Sequence, residues 1–258
     1  MKVVLLCGGL GMRLREETEF RPKPMIEVGG RPIVWHIMKA YAHHGFTEFV
    51  LCLGYRAEVV KRYFLEYEAM RSDFTVELGK PGALAFHGAH GERGWKVTLA
   101  DTGASANTGA RVKRVERHID GDTFMLTYGD GVANVDVSAL LAFHRAHGRI
   151  ATVTGVRPPA RFGELITAGD AVREFREKPQ TSQGIINGGF FVLNRQVFSY
   201  LDDDDGCVLE REPLERLAKD GELMVYEHPG FWQCLDTPRD LQHLQEMWRE
   251  GAPWNIWS

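Results

Sequence analysis

A glycine-rich loop behind a short aliphatic run, followed by isolated cations set among prolines, is suited to holding phosphate. Val3 to Leu6 is such a run, closed by Gly8, Gly9, Leu10 and Gly11 and then by Met12 and Arg13. Without Cβ atoms, a loop of this kind lets backbone N–H groups approach a phosphate or a base closely, although a plain tight turn uses the same residues. The loop has neither the spacing of a dinucleotide fingerprint nor the GKS or GKT ending of a P-loop, so a dehydrogenase or a P-loop kinase is not supported. Lys23 follows between Pro22 and Pro24, whose fixed φ stiffens the backbone that presents it. Asp130 stands in Gly129-Asp130-Gly131 after the apolar stretch Thr123 to Tyr128, where no bulky neighbour blocks a ligand; a turn aspartate has the same surroundings.

These candidates need a globular scaffold, and the composition supplies one. Hydrophobic residues make up 44% and charged residues 26% of 258 positions, the balance of an ordinary soluble protein rather than a disordered or fibrous one. A formal charge of -4 gives no broad basic field, so nucleic acid is not an expected partner and positive charge for an anionic substrate must be placed locally. The cysteines Cys7, Cys52, Cys207 and Cys234 are scattered, form no CxxC pair, and suggest neither zinc nor disulfides; a reducing, cytoplasmic setting is expected. The apolar run at the N-terminus is far too short for a signal-peptide core or a membrane span and reads as a buried first strand, so no membrane partner is expected.

The positioning elements read as alternating strands and helices. Val3 to Leu6, Phe46 to Gly54, Trp95 to Ala100, Thr123 to Tyr128 and Ile150 to Val156 are strand-like, whereas Pro32 to Gly45, Ala57 to Met70, Ala110 to His118 and Val137 to Gly148 have helical spacing. That alternation predicts an α/β, Rossmann-like fold: a mixed, mainly parallel central sheet flanked by helices. Residues 71–94 read as irregular. Residues 162–191 read as short antiparallel strands added over the ligand-binding end, a lid or a small sugar-binding region. Asp202 to Asp205 reads as a solvated turn, and helices are expected over Glu212 to Asp220 and Leu241 to Trp248. A single domain is expected, with one part over residues 1–156 and a second over residues 157–258. The histidine pairs His43-His44, His87-His90 and His144-His147 read as surface or packing residues without acidic or cysteine partners. The tryptophan-rich C-terminus would cover a subunit interface or be buried within the monomer.

The loop glycines, Arg13 and Pro22-Lys23-Pro24-Met25 resemble the signature of the sugar nucleotidyltransferase family. Three further segments fit in order: Gly129-Asp130-Gly131, Glu177-Lys178-Pro179 and Asn187-Gly188-Gly189-Phe190. The stretches from Ile33 to Lys39, Thr127 to Gly131, Pro158 to Gly163, Gly230 to Gln233 and Ala252 to Trp254 resemble the cytidylyltransferases of that family. The resemblance implies CTP and glucose 1-phosphate as substrates, CDP-glucose and pyrophosphate as products, Mg²⁺ as cofactor, a homo-oligomer, and a place in deoxysugar and surface-polysaccharide synthesis. Both reactants are strongly anionic, so repulsion and positioning dominate the barrier, and cations must do most of the catalysis.

By this resemblance Arg13 would neutralise the leaving pyrophosphate, Lys23 the α-phosphate and Lys178 the sugar phosphate. Leu6, Gly8, Gly9, Leu10, Gly11, Met12, Thr108, Arg111 and Gly129 would surround the nucleotide. Gly163, Glu177, Asn187 and Gly188 would lie by the sugar, and Asp130 with Asp236 would hold the metal. Structural readings stand beside several of these: a helix-surface arginine for Arg111, a helix N-cap for Asp236, solvated surface charges for the lysines. Met12 departs from the small hydroxyl residue usual at its position, and Cys234 stands where proline is expected. Rival functions are the same chemistry with another triphosphate or sugar phosphate, a non-catalytic sugar-nucleotide-binding regulator, and a glycosyltransferase using an Asp-x-Asp metal motif.

Overall fold

The computed structural model describes residues 1–11, 14–80, 82–158, 164–168, 171–176 and 184–257. In chain order the first elements are β1 (Lys2–Leu6), α1 (Arg15–Thr18), β2 (Glu27–Val28), β3 (Arg31–Pro32), α2 (Ile33–His43), β4 (Glu48–Leu53), α3 (Ala57–Leu65) and α4 (Tyr67–Arg71). Next come β5 (Asp73–Val76), β6 (Leu84–His87), β7 (Lys96–Asp101), α5 (Thr108–Arg114), β8 (Thr123–Tyr128), β9 (Gly131–Ala133), α6 (Val137–His147) and β10 (Ala151–Val156). The remainder holds β11 (Glu164–Ala168), β12 (Ala171–Arg176), β13 (Ile186–Asn194), α7 (Glu212–Lys219), β14 (Leu223–His228), β15 (Trp232–Cys234) and α8 (Pro238–Glu250).

Seven strands form the central sheet in the order β14-β10-β13-β8-β1-β4-β7, with β13 antiparallel to both neighbours and the other pairings parallel. After Lys2, β1 is apolar from Val3 to Leu6 because both its faces are covered there. Val3 and Leu5 pack into a core with Ile37 and Met38 of α2, Val60 of α3, Leu140 of α6 and Leu244 of α8. Val4 and Leu6 pack into a second core with Val112 of α5 and Leu217 of α7. The helices stop where their sequences say they should. Asp136 caps α6 by accepting from Ala139 N at 2.9 Å and Gly148 ends it at φ 67°, while Thr237 and Asp240 form a capping box at the start of α8.

Three expectations need correction. Ala57 to Met70 is two helices, broken at Glu66. Residues 71–94 contain a regular hairpin, β5 paired with β6 in the register Phe74↔Phe86 and Val76↔Leu84; its strands are only four residues long, too short for periodicity to stand out. β13 is no peripheral addition. Its run Phe190-Phe191-Val192-Leu193 is buried on both faces in mid-sheet, so strands from both the 1–156 and 157–258 segments build one sheet, and of the strands within residues 162–191 β11 and β12 alone pair apart from it. No helix among the described residues is long and apolar enough to cross a membrane.

The C-terminal tryptophans lie within the monomer around His36 of α2. Trp254 is buried, its indole N–H lies 3.4 Å from His36 Nδ1, and the Trp248 ring stands 4.9 Å from the imidazole; His36 Nε2 lies 2.8 Å from Val28 O. Burial lowers the His36 pKa to about 4, with the Arg31 charge acting the same way. Below pH 6.5 the unfolded chain takes up a proton that the folded imidazole refuses, so this contribution to stability is complete above about pH 6.5 and is lost as pH falls towards 4. His44, His118, His144, His147 and His228 are shifted downwards too, first by burial. In urea unfolding at pH 7.5 and pH 5, the wild type should lose about 2 kcal/mol more than His36→Gln does, from about 1.4 kcal/mol per pH unit below the unfolded pKa.

Candidate active site

A cleft of about 400 Å³ opens at the carboxyl ends of the parallel strands. It lies where the strand order reverses: β4 and β7 extend to one side of β1 and β8 stands on the other, the usual place for a ligand in an open α/β sheet. Leu6, Gly8, Gly9, Gly11, Thr108 and Arg111 line it, together with Lys23, Asp130 and Asp236. Leu10 does not line it, and its side chain points to solvent, 54% exposed.

Lys23, Asp130 and Asp236 meet in the cleft. Pro22 precedes and Pro24 lies within a single 3-10 turn, Lys23–Met25, and Pro24 and Met25 are buried, so the lysine stem leaves a fixed backbone. Its Nζ donates to Asp130 Oδ2 at 2.6 Å and to Asp236 Oδ1 at 2.5 Å. Burial opposes the ammonium charge, but the two carboxylates outweigh it and raise the Lys23 pKa, so the side chain stays a cation. Asp130 follows β8 directly. Asp236 arrives beside it because β15 pairs with β9, setting Cys234 opposite Gly131, and Leu235 N donates to Asp130 O at 2.8 Å. The N-cap of α8 is Thr237, not Asp236, so the Asp236 carboxylate serves the cleft and not the helix end. Cys234, in the place expected for proline, donates its thiol to Asp236 Oδ2 at 3.7 Å; burial and then the Asp236 charge push its pKa up to about 12.

Arg111 is not a helix-surface residue. Its side chain is buried: Nη1 donates to Leu53 O, Thr102 Oγ1 and Gly103 O at 2.9 to 3.0 Å, and Nη2 to Gly8 O at 3.0 Å and Ala104 O at 3.4 Å. Arg111 therefore braces from below the loops that follow β1, β4 and β7. Gly8 must lack a side chain, because a Cβ there would overlap the guanidinium. Gly129 is held as tightly: a Cβ would fall 2.8 Å from Leu6 O, and its N–H donates to that same carbonyl at 3.0 Å.

The sugar-side candidates are only partly covered: Met12, Arg13, Gly163, Glu177 and Lys178 lie outside the described residues. Asn187, near the start of β13 and paired with Gly155 of β10, donates from Nδ2 to Tyr128 OH at 3.0 Å, and Gly188 O accepts from Trp232 Nε1 at 2.8 Å. Tyr128, Pro24, Ala106 and Asn107 also line the cleft, and sequence reasoning missed them, since a tyrosine ending an apolar strand carries no chemical signal of its own. Asp202 to Asp205 is a turn but not merely solvated, for Arg114 pairs with Asp203 at 2.6 Å and Asp205 at 2.9 Å. His90 does have acidic partners, Glu68 and Glu92, and His44 lies 3.6 Å from Asp136, yet no cluster of three or more metal-ligating side chains exists among the described residues.

Replacing Arg111 by Met leaves several buried carbonyls without a donor. This should cost about 3 kcal/mol or more, and lower the melting temperature by about 6–12 °C in a chain of this size, as followed by circular dichroism. Arg111→Lys should not restore stability, because one ammonium cannot reproduce the planar fork; a wild-type melting temperature in the Lys variant would refute the bracing role.

The family described as nucleotidyl transferase matches residues 2–249. The glucose-1-phosphate cytidylyltransferase of Salmonella typhimurium is 50% identical over 260 residues, covering 100% of both chains, and that of Salmonella typhi is equally similar. Among solved structures, HddC from Yersinia pseudotuberculosis aligns with a TM-score of 0.70 at 21% identity, covering 96% of this chain and 99% of that one. The inositol-1-phosphate CTP transferase from T. maritima aligns with a TM-score of 0.65 at 16% identity, covering 97% and 96%; these two share the fold. A match across nearly the whole length, on a cleft built in this way, means that the chain belongs to the nucleotidyl transferase family.

Proposed function

We propose that the protein joins CTP to α-D-glucose 1-phosphate, giving CDP-glucose and pyrophosphate, by in-line attack of the sugar-phosphate oxygen on the α-phosphorus. The observation that carries this reading is the Asp130–Lys23–Asp236 cluster in a cleft at the carboxyl edge of the sheet. The full-length 50% identity to the Salmonella enzymes supports cytosine and glucose as the choices of base and sugar.

Phosphoryl chemistry of this kind needs no covalent intermediate; it needs anions held together. Lys23, already held as a cation, meets the α-phosphate, and the loop Gly8 to Gly11 offers backbone close to the nucleotide. Arg13 is assigned the leaving pyrophosphate, Lys178 the sugar phosphate, and Glu177, with Gly163, Asn187 and Gly188, the sugar. The oxygen donors of Asp130 and Asp236, converging from two segments, fit a hard divalent cation such as Mg²⁺, and these two residues would hold it. Bound there, it would draw negative charge away from the triphosphate oxygens. Four free cysteines fit a reducing, cytoplasmic setting, and the product fits deoxysugar and surface-polysaccharide synthesis.

We further propose that copies of the chain associate through the β5–β6 hairpin. Phe74, Val76, Leu84 and Phe86 are exposed and belong to neither core, and Leu78 at the turn is 89% exposed. An isolated two-stranded hairpin is marginal in water. The apolar surface it shows is on the order of several hundred Å², close to one partner's share of a standard interface. Sedimentation should give a multiple of the 29.1 kDa chain mass, and Phe74→Ser with Leu84→Ser should lower it; a monomeric wild type would end this proposal.

Purified protein with glucose 1-phosphate and Mg²⁺ should release pyrophosphate with CTP and not with UTP, dTTP, ATP or GTP, and a chelator should abolish release. Asp130→Ala should reduce kcat/KM by roughly a thousandfold, the scale of removing one charge-stabilising group from an active site. Release with another triphosphate would reassign the base. Silence with all five and several sugar phosphates would favour a sugar-nucleotide-binding regulator.

A further inference from the structure

Glu210 lies in the segment leading into α7, and each oxygen of its carboxylate takes one hydroxyl of the cleft wall. Thr108 Oγ1 donates to Oε2 at 2.6 Å and Tyr128 OH to Oε1 at 2.5 Å. Burial first, and then the Glu210 charge, raise the Tyr128 pKa, so the phenol keeps the proton it donates. Beyond Tyr128 the chain of contacts continues: Asn187 Nδ2 donates to the phenol oxygen at 3.0 Å, and Gly189 N donates to Asn187 Oδ1 at 2.8 Å, which fixes the amide orientation. An amide nitrogen carries two hydrogens, so one remains for a sugar hydroxyl.

We propose that Glu210 is a positioning residue that ties the nucleotide side of the cleft, through Thr108, to the sugar side, through Tyr128 and Asn187, and so sets the spacing at which the two substrates meet. This rests on the assignment of those two sides under the proposed reaction. The tie is unequal. Thr108 has other anchors, since Leu209 N donates to its hydroxyl at 2.9 Å and Gly109 N and Ala110 N both donate to Cys207 O. Tyr128 spends its only donor on Glu210, and its phenol oxygen in turn accepts from Asn187 Nδ2. Loss of the carboxylate therefore falls on the sugar. Glu210 is itself exposed, and exposed polar contacts add little to stability, so its variants should fold.

The test is a double-mutant cycle of Glu210→Ala and Tyr128→Phe, read in steady-state kinetics, with CTP binding measured separately by calorimetry and folding by thermal melts. Each single variant should raise KM for glucose 1-phosphate about tenfold, the scale of one lost hydrogen bond, with kcat and CTP affinity within about twofold of wild type. The double variant should be no worse than the weaker single one, because both break the same link. Glu210→Gln, keeping one acceptor oxygen, should fall between wild type and Ala. An unchanged KM in Glu210→Ala, equal losses for both substrates, or effects that multiply in the double variant would overturn the proposal. The cycle is run with whichever triphosphate and sugar phosphate the wild type turns over, and a wild type without turnover is read by sugar-nucleotide binding across the same four proteins. A wrong choice of substrates is thereby separated from a wrong role for Glu210.

Discussion

A half-buried ammonium held between two carboxylates is the constraint on which the cleft depends. Lys23, Asp130 and Asp236 are far apart in sequence, and the two aspartates could not face one another in a partly desolvated site without a cation between them. The cluster carries a net charge of about one negative unit. A cluster with this sign attracts an added cation and does not by itself welcome an anion. The strand ends, the proline-framed turn and the β9–β15 pairing all serve to keep these three side chains within hydrogen-bonding distance.

The sheet achieves this through its topology. β8 runs parallel to β1, so Gly129 reaches Leu6 O and Asp130 emerges next to the glycine loop. The ladder between β9 and β15 then carries Asp236 to the same place in a fixed register, and a slip of one residue would turn Gln233, Cys234 and their neighbours to the opposite faces. Arg111 fixes the other boundary by drawing the segments after β1, β4 and β7 towards one guanidinium. This side of the cleft is therefore set by backbone and buried charge rather than by exposed side chains.

Much of this was legible in the sequence. Aliphatic runs such as Val3 to Leu6 and periodic stretches such as Ile33 to Tyr41 report burial directly, because two covered faces or one covered stripe demand them. The glycine loop, Lys23 between prolines and Asp130 after a strand are legible because their residue types are unusual for plain structure. The features that escaped depend on partners distant in the chain. The buried fork of Arg111 looks like any helix arginine until Gly8, Leu53 and Gly103 surround it. Tyr128 and Glu210 have no local pattern at all, since each acquires its role from a hydroxyl or carboxylate 82 residues away.

The antiparallel strand in an otherwise parallel sheet has a functional reason. In a parallel sheet only strand ends reach the carboxyl edge where the cleft lies, and each of those ends runs on into a loop. β13 runs the other way, with Phe190 opposite Thr127, so its beginning, not its end, stands at that edge beside Tyr128. Asn187 and Gly188 are thus presented by a strand that is buried for the rest of its length, and Gly189, at φ 82° and packed over the Tyr128 ring, lets the chain turn into it. A cleft wall built in this way gains the rigidity of the sheet core. It then needs only one lateral link to the facing wall, and the carboxylate of Glu210 accepts from Tyr128 on one side and Thr108 on the other.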